Sequence, residues 1–533
     1  MRQFPLEMHH VAPGRVVEWR LRTTAAEAGG AEAGRSGSGG AEAGGPGSGG
    51  AEAGGPDAAA PDAGRPDAAG PADPASRKAS FNQDKHFTVA EESRAADDPV
   101  ASWVAVTFEV TGPLDEQALS RALLSFVQRH EVLRCAFRRL AGEVACEPFA
   151  PASLTLDPEH VGTFDDAGVL SDFLVERFKR SIDTLSWPLF IMGAVVREDS
   201  ATVYLAFDHI VCDGMSMPIV AREVLTAYEG LCRGEAAELP PAPSYLDFAE
   251  EQRRRYLSID VRDSRLDHWK AFMGPAGEFF PRFPLDLGVE PGRMYPIVNE
   301  ASMLLDAGEA EVFEKTCLAV GGKPFMGVLG SVAVCLRDAG GPGVYRGLMP
   351  VSERGRSTWT NSVGWFVNTL PIEFDASPGR DFAQVTASVR AGFAEMIAHG
   401  DVPFVRAWEL LAPEEFAARS WPYPVNFFSY IDMRKCPGAE RHDEWRPTTH
   451  VWSARANGAC SWFQRDTDGL HMNSIYVDTR AARRTMGDFQ EALRLTVQEV
   501  ARSGGFRRPV ALTPQRRPVR GAPLDVAALA RRG

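Results

Sequence analysis

AFDHIVCDGM, residues 206–215, closes an apolar run and places His209 and Asp213 four positions apart, just ahead of a glycine. Upstream, ATVYLAFDHI (201–210) carries the β-branched and aromatic residues of a strand, and downstream, SMPIVAREVLTAYEGLCRG (216–234) has apolar residues at helical spacing. The pair therefore marks a strand-to-helix junction. There the strand end is rigid, the loop is exposed, and helix amides favour developing negative charge. Asp213-Gly214 suits a tight turn with Gly214 at positive φ. A neutral histidine beside an apolar strand titrates near neutrality and suits proton removal from an amine or hydroxyl. The same residues also fit a plainer arrangement, with His209 a hydrogen-bonded strand-end histidine and Asp213 a helix cap. A pattern this short does not separate the two, and Asp208, directly before the histidine, needs its own account.

The surrounding chain sets bounds. At 533 residues it is too long for one ordinary core, which implies two domains of roughly 150–200 residues plus extras. A net charge of −14 disfavours nucleic acid or an anionic membrane as partner, since neither attracts an acidic protein. The eight cysteines lie singly, with no CxxC or Cys/His cluster, so neither a zinc site nor a disulfide framework is expected. MRQFPLEMHHVAPGRVVEWRLRT at the start lacks the apolar core of a signal peptide. No apolar run reaches the roughly 20 residues of a transmembrane span. A cytoplasmic protein with reduced thiols is the expectation.

From about Thr24 to Ala75 the composition collapses to Ala, Gly, Glu, Asp, Pro and Ser, with the decamer GSGGAEAGGP at 37–46 and again at 47–56. Such a stretch cannot bury enough surface to offset the entropy of ordering and is expected to be a flexible insertion. The alternating GRVVEWRLR (14–22) before it reads as a strand, and a lone strand must pair with something later in the chain. The insertion therefore interrupts a domain. After it, SWVAVTFEVTG (102–112) reads as a strand and LDEQALSRALLSFVQRHEVLR (114–134) as a helix. A similar mixture resumes near residue 295, with FMGVLGSVAVCLRDAG as a buried helix and VYRGLMPVS as a strand. Two α/β sandwiches built alike, with a cleft between them, follow from that repetition.

Six stretches occur in order: FNQDKHF (81–87), RHEVLRCAF (129–137), DHIVCDGMS (208–216), SYLDFAEEQ (244–252), SVGWFVNTLPI (362–372) and AHGDVPF (398–404). They resemble successive motifs of the condensation domains of nonribosomal peptide synthetases, over about residues 80–480. The pairing of DHxxxDG with GWFVNT is the specific part. The GRVVEW opening strand, SFNQ after the insertion and WSARANGACSWF (452–463) make the chain most similar to the stand-alone, polyketide-associated acyltransferases of that superfamily.

The resemblance implies an α/β fold of two chloramphenicol-acetyltransferase-like sandwich lobes in a V, with the active site between them. Its expected organisation is an N-terminal strand of the first lobe (1–23), a low-complexity insertion (24–77), an N-terminal lobe (78–285), a C-terminal lobe (286–505) and a flexible tail (506–533). His209 becomes the catalytic histidine, acting as general base on the acceptor or holding the nucleophile while a tetrahedral intermediate forms. Asp213 becomes structural and pairs with an arginine of the other lobe, Arg354 in MPVSERGR or its neighbour Arg356. Gly214 permits close approach of the substrate, and Trp365, Phe366 and Asn368 border the tunnel or, for the two aromatics, pack in a core. Asp208 replaces a histidine usual in the family, and strand alternation turns it away from His209 into a supporting role. It could hydrogen-bond within the loop or raise the pKa of His209.

The implied activity is acyl transfer without a covalent acyl-enzyme, metal or cofactor. An acyl- or peptidyl-carrier protein or acyl-coenzyme A thioester would be the donor, and a hydroxyl or amine the acceptor, in natural-product or lipid assembly. A monomer is expected. A catalytically silent module that recruits another enzyme is the competing reading, although such modules tend to lose the histidine or the glycine, and both stand here. An epimerase-type relative that uses the same histidine is a third.

Overall fold

The computed structural model describes residues 1–24, 76–96, 102–273, 280–290, 293–354, 358–412 and 425–506. Most of the low-complexity insertion, almost all of the tail and Arg356 lie outside the described residues.

Two large sheets carry the chain. The first has seven strands in the order Arg2–Gln3, Thr448–Ser453, Ser102–Thr111, Ser200–Asp208, Phe190–Val196, Gly14–Thr23 and Leu154–Phe164. The second has six: Ile297–Asp306, Gly469–Val477, Ala459–Arg465, Phe427–Asp432, Val344–Ser352 and Val367–Asp375. Gly14–Thr23 finds its partners across the insertion, pairing antiparallel with Leu154–Phe164 and Phe190–Val196.

Ser200–Asp208 is central in the first sheet, and each of its residues from Ala201 to Asp208 is buried. That is why it reads as a near-continuous apolar run rather than an alternating one. Helices Glu116–Arg129 and Ser216–Arg233 pack on one face of this sheet, where Leu119, Leu123, Phe126, Val220 and Val224 join the core. In the second lobe, helix Pro324–Asp338 is buried along almost its whole length, against Phe313, Val385, Val389 and Val497.

A simple division of the chain at residue 286 does not describe the packing. Strand Thr448–Ser453 leaves the second half and pairs with Ser102–Thr111, and Val363, Phe366, Met433 and Trp445 join the first lobe's core. The cause is hydrogen bonding. His450 is fully buried between Thr107 and the Phe4 carbonyl, which holds this strand in the first sheet. Helix Phe81–Ala95 runs between the lobes, with Phe81 in the second core and Phe87 in the first. Its start is fixed by a capping box: Ser80 accepts from the Gln83 amide, and Gln83 accepts from the Ser80 amide.

No single helix among the described residues is long and apolar enough to cross a membrane. Helices Ala307–Ala319 and Pro324–Asp338 reach that composition only together, across a 93° bend.

Candidate active site

The loop after the central strand is anchored on several sides. Asp208 is the last strand residue and His209–Val211 form one 3-10 turn, which Asp208 caps by accepting from the Ile210 amide at 2.8 Å. Gln83, the capping-box residue, donates its side-chain amide to the Ile210 carbonyl at 2.9 Å. SFNQ therefore does two things, starting a helix and holding the histidine loop.

His209 is partly exposed, but its Nδ1 is buried without a hydrogen-bond partner on any other described residue. Its ring lies 4.1 Å from the Trp365 ring, at 39°. Burial lowers its pKa below the ordinary 6.5, and the neighbouring His86 adds to that. Its own carbonyl, Asp213 and Asp208 act in the opposite sense without reversing it. The imidazole is therefore neutral at neutral pH and able to take a proton. With Nδ1 sealed in, Nε2 is the nitrogen left to serve a reactant.

Asp213 and Arg354 are brought together. Nη1 and Nη2 of Arg354 donate to Oδ2 and Oδ1 of Asp213 at 2.8 and 2.7 Å, with Asp213 fully buried and Arg354 6% exposed. The remaining acceptor capacity of the carboxylate is used by the Ser216 amide at 2.9 Å and the Phe366 amide at 3.0 Å. Ser216 Oγ lies 2.9 Å from Arg354 Nη2 and 3.1 Å from the Gly364 carbonyl. One buried ion pair thus joins the histidine loop, the start of helix Ser216–Arg233 and the segment ahead of strand Val367–Asp375. The cross-lobe contact of Asp213 is present, but Asp213 is not the helix cap: Met215 holds that position, and Asp213 accepts from the Ser216 amide from two residues further back.

The GWFVN residues divide. Phe366 is fully buried in the first lobe's core, with ring contacts to Tyr245 and Phe248 at 4.8 Å, so it is a packing residue. Trp365 is partly exposed and stands against both His209 and His86. Asn368 accepts from the Phe404 amide at 2.8 Å and donates to the Val402 carbonyl at 3.2 Å, tying its strand to the AHGDVPF segment. Gly364 is the glycine this segment requires, because a Cβ there would meet the Tyr245 ring at 2.1 Å. Gly214 differs from expectation: its φ is not positive, and a Cβ there would meet nothing within 4 Å. Its lack of a side chain leaves open space next to Asp213 instead of satisfying a strained turn.

Asp208 is fully buried and supports the loop, by a route that strand alternation does not describe. The strand ends at this residue, so the separation from His209 comes from the change to the 3-10 turn. Its carboxylate lies 3.0 Å from His86 Nε2 and 2.6 Å from Thr184 Oγ1. Its effect on His209 is the smallest of those acting, and the net shift is downward, not upward. His86, Thr184, Gln83, Ser216 and Gly364 were not singled out from sequence. Only SFNQ carried a readable signal, as a capping box.

One group among the described residues, His268, Glu395 and His399, brings ligand-type atoms within 4.8 Å of one another. The imidazoles of His268 and His399 are stacked at 10°, so their lone pairs run in parallel planes and do not converge on an ion.

The chain has known relatives. The condensation-domain family model matches residues 92–420, and the chain belongs to that family. It is an acyltransferase of the condensation-domain type, and its relatives include stand-alone mycobacterial enzymes. Acyltransferase PapA3 of Mycobacterium tuberculosis is 25% identical over 433 residues, covering 80% of this chain and 89% of the relative. The 2'-acyl-2-O-sulfo-trehalose (hydroxy)phthioceranyltransferase PapA1 of the same organism is 25% identical over 415 residues, covering 77% and 79%. Among solved structures, the PapA2 acyl transferase superposes with a TM-score of 0.76 at 20% identity, covering 94% of this chain and all of that one, and supports the two-lobed fold.

Proposed function

We propose that the protein moves an acyl group from a carrier-protein or coenzyme A thioester directly to a hydroxyl or amine acceptor, with His209 as general base. The observation that carries the reading is the state of His209. It is a neutral imidazole with one nitrogen sealed, on the loop that the Asp213–Arg354 pair ties to the segment ahead of strand Val367–Asp375. Nε2 takes the proton of the acceptor as its oxygen or nitrogen attacks the thioester carbonyl. The tetrahedral intermediate collapses with cleavage of the C–S bond, and the proton passes from the imidazole to the departing thiolate. No side chain is acylated. The Asp213–Arg354 pair holds the loop in register and takes no proton.

The PapA1 relative, a phthioceranyltransferase, supports a lipid-type acyl group and an ester product. Mass spectrometry of products after incubation with paired donors and acceptors tests the reading. Octanoyl-coenzyme A and octanoyl-loaded carrier protein would each be offered with sugar, long-chain alcohol and amine acceptors. A condensed product from the native protein and none from His209→Ala is the expected outcome. Full rate retained in His209→Ala would overturn the role of the base. No product from any pair would leave the recruitment reading in its place.

A further inference from the structure

Asp208, directly before His209, is met by an imidazole from another element. His86, one turn after Asn82 on helix Phe81–Ala95, sets Nε2 3.0 Å from Asp208 Oδ1. Asp208 already accepts from the Ile210 amide through Oδ1 and from the Thr184 hydroxyl through Oδ2. It is an acceptor throughout, so the hydrogen shared with His86 belongs to Nε2. That fixes the tautomer and leaves the lone pair on Nδ1, as an aspartate does for the histidine it orients in other sites. Nδ1 of His86 has no protein partner among the described residues. The ring lines a narrow pocket of about 60 Å³ together with Asn82, Lys85, Trp365 and Trp408. Trp365 is shared with His209, at 5.4 Å from the His86 ring and 4.1 Å from the His209 ring.

We infer that His86, its tautomer set by Asp208, is a substrate-binding residue whose Nδ1 accepts a hydrogen bond from an amide N–H of the thioester donor's arm. This rests on the acyl-transfer reading above. The walls Val89, Trp365, Val405 and Trp408 admit a slender, largely apolar chain. Lys85, stacked over Trp408 at 4.2 Å, offers only donors and cannot receive an N–H. An acyl tail has no N–H to give. Carrier-bound and coenzyme A thioesters share an amide two methylenes from the sulfur, and the pocket shares its Trp365 wall with the reacting histidine.

Side-chain amides separate this from a merely structural role. His86→Gln keeps a donor near the Nε2 position, towards Asp208, but nothing at Nδ1. His86→Asn keeps an acceptor near Nδ1 and loses the link to Asp208. The probes are the S-octanoyl thioesters of N-acetylcysteamine, which has the amide, and of propanethiol, which lacks it, each offered with the acceptor that gives a condensed product in the assay above, so that the acyl group has a nucleophile to join; the readout is thiol release. The native protein should favour the amide-bearing ester in kcat/KM by roughly three- to tenfold, mainly through KM. His86→Asn should retain that preference, and His86→Gln should lose it. A preference that survives in His86→Gln, or that falls further in His86→Asn, would overturn the inference. In protein labelled with 15N at histidine, the His86 ring should show the Nε2–H tautomer and lose it in Asp208→Asn. An Nδ1–H tautomer in the native protein overturns the inference whether or not thioester is cleaved. The expected tautomer with no cleavage of either ester would instead sink the acyl-transfer reading, and the proposed ligand with it.

Discussion

Arg354 grips Asp213 through two N–H···O contacts of 2.8 and 2.7 Å, across 141 positions of sequence, and both side chains are buried. The guanidinium also lies over the Phe366 ring at 4.7 Å, and the Phe366 amide donates to the same carboxylate. Charge, hydrogen bonding and packing therefore meet at one point between the lobes.

Removing one partner leaves the other as an uncompensated buried charge. Arg354→Ala and Asp213→Ala should each lower unfolding free energy by about 3–5 kcal/mol, read as a shift in denaturant midpoint. Arg354→Lys should recover little, because an ammonium cannot reproduce the two-point contact. An Arg354→Ala protein with unchanged stability but no activity would show that the pair acts in chemistry, not architecture.

The pH profile of acyl transfer tests the state of His209. Its pKa lies below 6.5, so the base form persists as the medium is acidified. The acid limb of kcat/KM should therefore be centred below pH 6.5. An acid limb of kcat/KM centred at or above pH 7 would contradict the assignment.

Glu353, next to Arg354, responds in the opposite direction. Burial raises its pKa from 4.5 to about 7, although the Gln252 amide donates to it at 3.0 Å. The folded state thus favours the protonated carboxyl. Its contribution is fully present below pH 4.5 and is lost as pH rises through 7. The residue is partly exposed, so the effect is at most about 3 kcal/mol. Glu353→Gln should flatten the decline in stability between pH 5 and 8, measured by thermal melts across that range. An unchanged slope would place the titration elsewhere.

Asn368 tests the tie between the tunnel strand and the segment at 400–404. Asn368→Ala leaves the Phe404 amide and the Val402 carbonyl without their partner, which should cost about 1–3 kcal/mol. Asn368→Asp should keep the contact to the Phe404 amide but present an oxygen to the Val402 carbonyl, and so be no better tolerated. Wild-type stability in both variants would remove the structural role.

Much of the site could be read before folding. The apolar run ending in Asp208-His209 is a buried central strand, the following helix starts at Ser216, and the GWFVN segment reaches the same loop. The resemblance narrowed the partner of Asp213 to one short stretch, MPVSERGR. It did not distinguish Trp365 from Phe366, because adjacent aromatics give the same pattern whether they face a core or a cleft. Only packing against Tyr245 and Phe248, or against His209, divides them. WSARANGACSWF read as one late stretch, but Trp452 and Ser453 end a strand of the first sheet while Ala459 opens one of the second. Side-chain periodicity is the same on either sheet, so it carries no information about which edge a strand joins.

By itself the sequence determined the local pieces: the buried strand that ends at Asp208, the helix that starts at Ser216, and the placing of His209 at the junction between them. These depend on residues within a few positions of one another, where propensity and hydrogen-bonding capacity act directly. Tertiary structure decided which arginine faces Asp213, why Gly364 must lack a side chain, which nitrogen of His209 is sealed, and that Asp208 holds His86. Burial and the field at His209 are set by groups that arrive from His86 and Trp365, far along the chain, and they exist only once the lobes have closed around the loop.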